Sequence, residues 1–156
     1  LILESATGFG LNLSLVLERA LELGGRVYSI DVSRLSITLA KLVYYRFIRR
    51  GVLVVEEGDL TRLKYEDSKF DYSVNHTTMH HVGDIRAAVR ELWRTLKSGG
   101  LLIVIDLNPL PIGVGSHSPS KLLSVKESVR SSVEEFFKVV ERGEGRLSYY
   151  IVAEKP

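Results

Sequence analysis

Two hydrophobic periods take turns along this chain. Leu1-Ile2-Leu3 is a short apolar run that ends at Glu4, followed by a small-residue turn from Ser5 to Gly10. From Asn12 to Leu23 the apolar positions Leu13, Val16, Leu17, Ala20 and Leu21 fall on one helical stripe. Gly24-Gly25 then ends the helix, because glycine takes the left-handed conformation past a helix without steric penalty. Arg26 to Ile30 reads as a second strand closed by Asp31, and Ser33 caps a helix expected to run to Arg50 and stop at Gly51. Val52 to Val55 is a third strand, Leu60 to Lys69 is polar and irregular, and Phe70 to Asn75 is a fourth strand. Asp84 caps a helix through Lys97, with Ile85, Ala88, Val89, Leu92 and Leu96 inward and Gly99-Gly100 as its stop. Leu101 to Asp106 is apolar almost throughout, as a strand covered on both faces should be. After a Pro/Gly/Ser-rich loop from Asn108 to Ser118, the spacing predicts a helix from Pro119 to Arg142, with a break near Ser131 where Ser132 and Glu135 could form an internal capping box. Leu147 to Ala153 is the last strand.

Strands alternating with helices of these lengths predict an α/β fold: a parallel sheet with helices on both faces. In such sheets ligands sit outside the carboxyl ends of the strands, where strand order reverses. The informative residues are therefore Glu4 to Gly10, Asp31, Gly58-Asp59, Asn75 to His81 and Asp106 to Pro111.

The composition leaves this picture standing. At 156 residues, 45% apolar and 26% charged, the chain is expected to be one domain over 1–156, with a core large enough to need no cross-link. Cysteine is absent, which removes disulfides, thiolate zinc sites and a cysteine nucleophile. No apolar run approaches the roughly 18–20 residues of a membrane span, and no signal-peptide pattern is present, so a cytoplasmic protein without membrane contact is expected. The absence of Gln, with three Asn and one Met, fits a thermophilic source. A net charge of +2 gives no argument for nucleic acid.

The first turn carries small residues at Ala6, Gly8 and Gly10, which let the backbone turn sharply and approach a ligand closely. Asp31 follows Gly10 by 21 residues, where an acid can accept hydrogen bonds from ribose hydroxyls. The dinucleotide pattern G-x-G-x-x-G fails from Gly8, since its third glycine would fall at Leu13. Glu4, ahead of the turn, would repel a pyrophosphate and attract an ammonium or sulfonium group.

On these residues the sequence resembles the class I S-adenosylmethionine-dependent methyltransferases over nearly its whole length. The family's acid-G-x-G-x-G looks like Glu4 to Gly10 with Ala6 for the first glycine, and its ribose acid looks like Asp31, with Val32 beside adenine. Its Gly-Asp, facing the adenine amino group, looks like Gly58-Asp59-Leu60. Its F-D-x-V and L-H-H motifs resemble Phe70 to Val74 and Met79-His80-His81, and its E-x-x-R-x-L-K-P-G-G resembles Glu91 to Gly100 with Ser98 for proline. The resemblance implies a Rossmann-like, doubly wound, mostly parallel sheet of six to seven strands. Its last strand is antiparallel. Members of the family usually have some tens of residues before the first strand that form part of a lid, and against that pattern this fold is expected to be minimal, without an N-terminal lid. It also implies a methyltransferase that uses S-adenosylmethionine in an in-line displacement onto a small-molecule acceptor. The implied cofactor-binding set is Glu4, Ala6, Gly8, Gly10, Asp31, Val32, Asp59, Leu60 and Asn75. The family has two final strands, of which only Leu147 to Ala153 is clear in this sequence.

His76 directly follows the fourth strand and is the candidate general base, with His80 a weaker one. His81 is expected to pack under the loop. His76 and His80 stand at His-x-x-x-His spacing, but no further ligand lies nearby in the sequence, so no metal site is expected. Arg86, Arg90 and Arg94 read as a solvated face, and Trp93 with Phe136-Phe137 as core or as the interface of a homodimer. The loop from Asn108 to Ser118 is the candidate lid. Other readings of the same residues are an RNA methyltransferase and a cofactor-binding module that needs a partner chain.

Overall fold

The structure, a computed structural model, describes residues 1–5, 7–8, 12–109 and 117–156. Seven strands form one sheet in the order β3-β2-β1-β4-β5-β7-β6. They are β1 (Ile2–Ser5), β2 (Val27–Asp31), β3 (Leu53–Glu57), β4 (Phe70–His76), β5 (Leu96–Leu107), β6 (Lys138–Glu144) and β7 (Ser148–Glu154). β1 to β5 are parallel, and β7 runs antiparallel between β5 and β6. This is the expected Rossmann-like sheet at the upper end of the expected strand count. Strand order reverses between β1 and β4, and the open edge of that reversal lies at Ser5 and Asn75, which are register partners.

The helices α1 (Leu13–Glu22), α2 (Arg34–Val43) and α3 (Tyr45–Arg49) share a core with one face of the sheet, built on Leu13, Leu17, Ile37, Val27 and Leu53. The helices α4 (Ile85–Thr95) and α5 (Pro119–Phe136) share the larger core on the other face, with Leu3, Phe70, Leu92, Leu102 and Val133. Local chemistry sets the boundaries. Ser33, Asp84 and Ser118 cap their helices by accepting from the N–H groups of Ser36, Ala87 and Lys121. α1 ends on Gly24 at φ +62°, with Gly25 N–H donating back to the Ala20 carbonyl at 2.7 Å.

Three expectations are corrected. The helix expected from Ser33 to Arg50 divides at Tyr44, where the Phe47 N–H bonds the Tyr44 carbonyl in a tighter i, i+3 turn. Val43-Tyr44-Tyr45 is a β-branched and aromatic run that crowds a helix, and turning there packs Tyr44, Phe47 and Ile48 against the core. The helix expected to reach Lys97 ends at Thr95, and β5 begins at once. Gly99 (φ +75°) and Gly100 form a bulge that shifts the β4–β5 register instead of stopping a helix, and a Cβ at Gly100 would lie 2.8 Å from the Lys97 carbonyl oxygen. The helix expected to Arg142 is continuous through Ser131 and ends at Phe136, and β6 occupies the rest. That strand is an edge strand carrying Lys138, Glu141, Arg142 and Glu144, so its charges resemble a helix surface while they also discourage edge pairing.

Arg94 does not lie on a solvated face. Its guanidinium is held by Glu91 through two bonds of 2.8 Å, and it donates to the carbonyls of Leu63 and Tyr65 and to Asp67. Glu91 in turn accepts from the Leu63 N–H. The Glu91–Arg94 pair therefore clamps the irregular segment after β3 onto α4. Phe137 is in the core, while Phe136 pairs with Trp93 at 6.4 Å between ring centroids.

Candidate functional site

At the carboxyl ends of the strands lies a cavity of about 690 Å³, the size of a small-molecule site. Its floor and walls are Asp31 and Val32 after β2, Asp59 and Leu60 after β3, and Thr78 and His81 after β4. Val32 is 69% exposed, an apolar side chain presented to the cavity with no protein cover. Gly58 sits where the wall is tightest, since a Cβ there would approach the Ile30 side chain to 3.1 Å.

Asp31 holds the mouth together. Its Oδ2 accepts the Gly8 N–H at 2.8 Å and its Oδ1 accepts the Ser33 N–H at 2.8 Å. One carboxylate thus orients both the small-residue turn and the start of α2, and each oxygen retains lone-pair capacity for a ligand hydroxyl. Asp59 turns its own backbone: Oδ1 accepts from the Thr61 N–H and Oγ1, both at 2.8 Å. Its Oδ2 has no hydrogen-bond partner among the described residues.

Glu4 lies behind the turn. It is 3% exposed and accepts the Ser29 hydroxyl at 2.5 Å, and Ser29 is in turn 2.6 Å from the Thr7 hydroxyl. Burial pushes its carboxyl up to about 7, with the Ser29 hydrogen bond opposing and the charge of Asp31 adding to the rise. The folded chain therefore binds this proton more tightly than the unfolded chain. Stability from Glu4 is full below its unfolded value near 4.5 and is lost as pH rises toward 7. Between pH 5 and pH 8, urea unfolding should show the chain losing stability relative to Glu4→Gln, which carries no such titration, by an amount on the order of 3 kcal/mol.

Asn75 is fully buried, with its amide spent on Ser5 and Ser73. It ties β1 to β4 at the reversal point and is not among the residues that line the cavity. His76 is half-buried, with Nδ1 2.8 Å from the Asn12 amide nitrogen and 3.0 Å from the Thr77 hydroxyl. Asn12 stands at the cap position of α1 but spends its side chain on this histidine rather than on the helix. Thr77 has φ +52°, an uncommon conformation for a β-branched residue, and the bend turns the chain away from β4 toward Thr78. Ala6 and Gly10 lie outside the described residues, as do residues 110–116 of the expected lid.

The paired histidines differ from expectation. His80 is the buried one, with its Nδ1 2.5 Å from Asp106 Oδ1, and His81 is exposed and lines the cavity. Burial first, then the neighbouring imidazoles, holds His81 below the usual histidine range. His117, far away in sequence, completes a trio with ring centroids 4.9 Å from both. Spacing along the chain contains no signal for that meeting, because it depends on where α5 packs.

The chain is similar to proteins of known family. It is 30% identical over 112 residues to a demethylmenaquinone methyltransferase of Thermobifida fusca, covering 72% of this chain and 45% of that protein. Its structure is similar to that of a SAM-dependent methyltransferase from Aquifex aeolicus, with TM-score 0.79 and 20% identity, covering 99% of this chain and 81% of that one. It is also similar to a geranyl diphosphate C-methyltransferase from Streptomyces coelicolor solved with Mg2+, geranyl diphosphate and S-adenosyl-L-homocysteine, with TM-score 0.79 and 11% identity, covering 99% and 73%. The chain spans less than half the length of the curated relatives it matches. No described helix is long and apolar enough to cross a membrane. Residues 3–104, from β1 through most of β5, match the model of the methyltransferase domain, and the chain belongs to that family.

Proposed function

We propose that the chain transfers a methyl group from S-adenosylmethionine to a small-molecule acceptor. The observation that carries this is the cavity at the carboxyl ends of β2 and β3 and beside the turn after β4, with Asp31 at its mouth and Val32, Asp59 and Leu60 on its wall. These residues fit the cofactor. Asp31 would accept from the ribose hydroxyls while it keeps the Gly8 turn in place. Val32 and Leu60 would cover the adenine, and the unpartnered Oδ2 of Asp59 would meet its amino group. Glu4 and Asn75 act from behind, holding the turn and the β1–β4 seam. When bound, S-adenosylmethionine supplies an electrophilic methyl group on a sulfonium. The task left to the protein is alignment of donor and acceptor, worth several kcal/mol of barrier. The T. fusca relative's name supports a small-molecule acceptor.

His76 is the candidate proton acceptor. With the Asn12 amide nitrogen donating to Nδ1, the ring proton sits on Nε2; with the amide turned to present its oxygen, the Nδ1–H tautomer is favoured, reached by proton exchange with solvent, and Nε2 is then the base. Calorimetric titration with S-adenosylhomocysteine should show one site per chain, and no binding would overturn the reading. Turnover is then measured over a panel of phenol, quinol, carboxylate and amine acceptors. Against whichever acceptor reacts, His76→Ala should lower turnover by about 10²–10⁴-fold while leaving cofactor affinity in place. Binding without turnover on every acceptor would assign the chain to a module completed by a partner.

A further inference from the structure

Three of the four histidines of this chain meet at the edge of the cavity, in a cluster to which the proposed methyl transfer assigns no step. His80 and His81 come from the 3₁₀ turn after β4, and His117 immediately precedes the Ser118 cap of α5. One ring nitrogen from each lies within 4.8 Å of the others. We infer that His80, His81 and His117 form a binding site for a divalent transition-metal ion that favours imidazole, such as zinc.

The strongest observation is the surroundings of His80. Its Nδ1 faces Asp106 Oδ1 at 2.5 Å, while Asp106 Oδ2 accepts the His80 backbone N–H at 3.1 Å and Oδ1 also accepts the Leu107 N–H at 2.7 Å. Asp106 is 1% exposed. A carboxylate held by two backbone N–H groups keeps the proton on Nδ1, which leaves the Nε2 lone pair for a ligand. A histidine that binds a metal through Nε2 needs this tautomer, and a carboxylate in this position is its usual partner.

The second observation is independent. His117 is 9% exposed, and its Nδ1 is buried with no hydrogen-bond partner among the described residues. A buried ring nitrogen left unpaired is disfavoured, and a metal ion would satisfy it. Zinc–nitrogen bonds of about 2.0–2.1 Å place tetrahedral ligands about 3.3 Å apart, so the ring nitrogens close by up to about 1.5 Å around the ion. Three protein ligands leave a fourth position for water or an acceptor oxygen. Lys121, on the adjoining 330 Å³ groove with His80 and His81, favours an anion there. His76, the remaining histidine, is outside the trio and is bonded to Asn12 and Thr77.

The test uses zinc and cobalt alone on the metal-stripped chain, so it is separate from any cofactor or acceptor measurement. Calorimetry should give one zinc per chain, and cobalt should give the visible absorption of a four-coordinate site. His80→Ala and His117→Ala should each weaken zinc by at least 10-fold, Asp106→Asn by about 10–100-fold with all three rings present, and His76→Ala not at all. Melting in chelator identifies any variant that has lost its fold, and His117→Gln then stands in for the alanine. A stoichiometry below half an ion per chain, or undiminished zinc affinity in folded His117→Ala or His117→Gln, would overturn the site.

Discussion

Replacing Asp31 with alanine should weaken S-adenosylhomocysteine by on the order of 100-fold or more, since hydrogen bonds from two ribose hydroxyls to a carboxylate are each worth about 1.5–3 kcal/mol. The same substitution removes the acceptor for the N–H groups of Gly8 and Ser33. Part of the loss is therefore indirect, through a turn no longer held in its binding shape. The two parts separate by measurement. Asp31→Asn keeps one acceptor oxygen but has no charge, so it should retain more of the turn than of the affinity. Calorimetry reads the affinity, and urea unfolding of the free chain reads the turn, with about 1–2 kcal/mol expected for the alanine variant. Unchanged affinity in Asp31→Ala would remove the ribose assignment.

The largest expected effect on stability is at Phe70. This ring opens β4, is fully buried, and meets Tyr28 at 5.5 Å and Tyr65 at 5.0 Å edge-to-face, while those two meet each other at 5.8 Å. Lys69 places its ammonium 4.9 Å from the centroids of both tyrosines. Phe70→Ala removes the centre of that cluster and leaves a cavity in a close-packed core, which should cost about 3–5 kcal/mol of unfolding free energy. Phe70→Leu should cost clearly less, because it keeps much of the volume. The cluster lies at the amino end of β4, opposite the cavity, so chains that remain folded should keep their cofactor affinity.

Most of the architecture was legible because its signals are local. Strand β2, helix α1 and the caps at Ser33, Asp84 and Ser118 stand where apolar period and capping chemistry put them. The misplaced ends of the helices after Asp84 and Pro119 share one cause, tertiary pairing that overrides a local pattern. Val140 and its neighbours fit a helical stripe, yet pairing with β7 makes them a strand. Gly99-Gly100 looked like a helix stop and is a register bulge. The placement of Asp31, Val32, Asp59 and Leu60 on the cavity wall was legible, since each ends or follows a strand. The burial of Glu4 and Asn75 behind the turn was not readable, because depth within a sheet is not encoded in distance along the chain. His117 shows the limit most plainly. It stands 36 residues after His81, and only the packing of α5 brings the two rings together.

The reversed placement of β7 has a consequence for synthesis. β6 leaves the ribosome before β7, yet among the described residues its only strand neighbour is β7. A nascent chain that has emerged only as far as Glu144 carries five parallel strands that are already able to pair, and β6 waits without a ladder. Meanwhile the outer edge of β5, with Leu102 and Val104, exposes unpaired backbone beside apolar side chains, the kind of surface on which chains join one another. Closure comes when Ser148 to Glu154 inserts between the two, so that the later strand of the pair seals the sheet from the middle rather than from its rim.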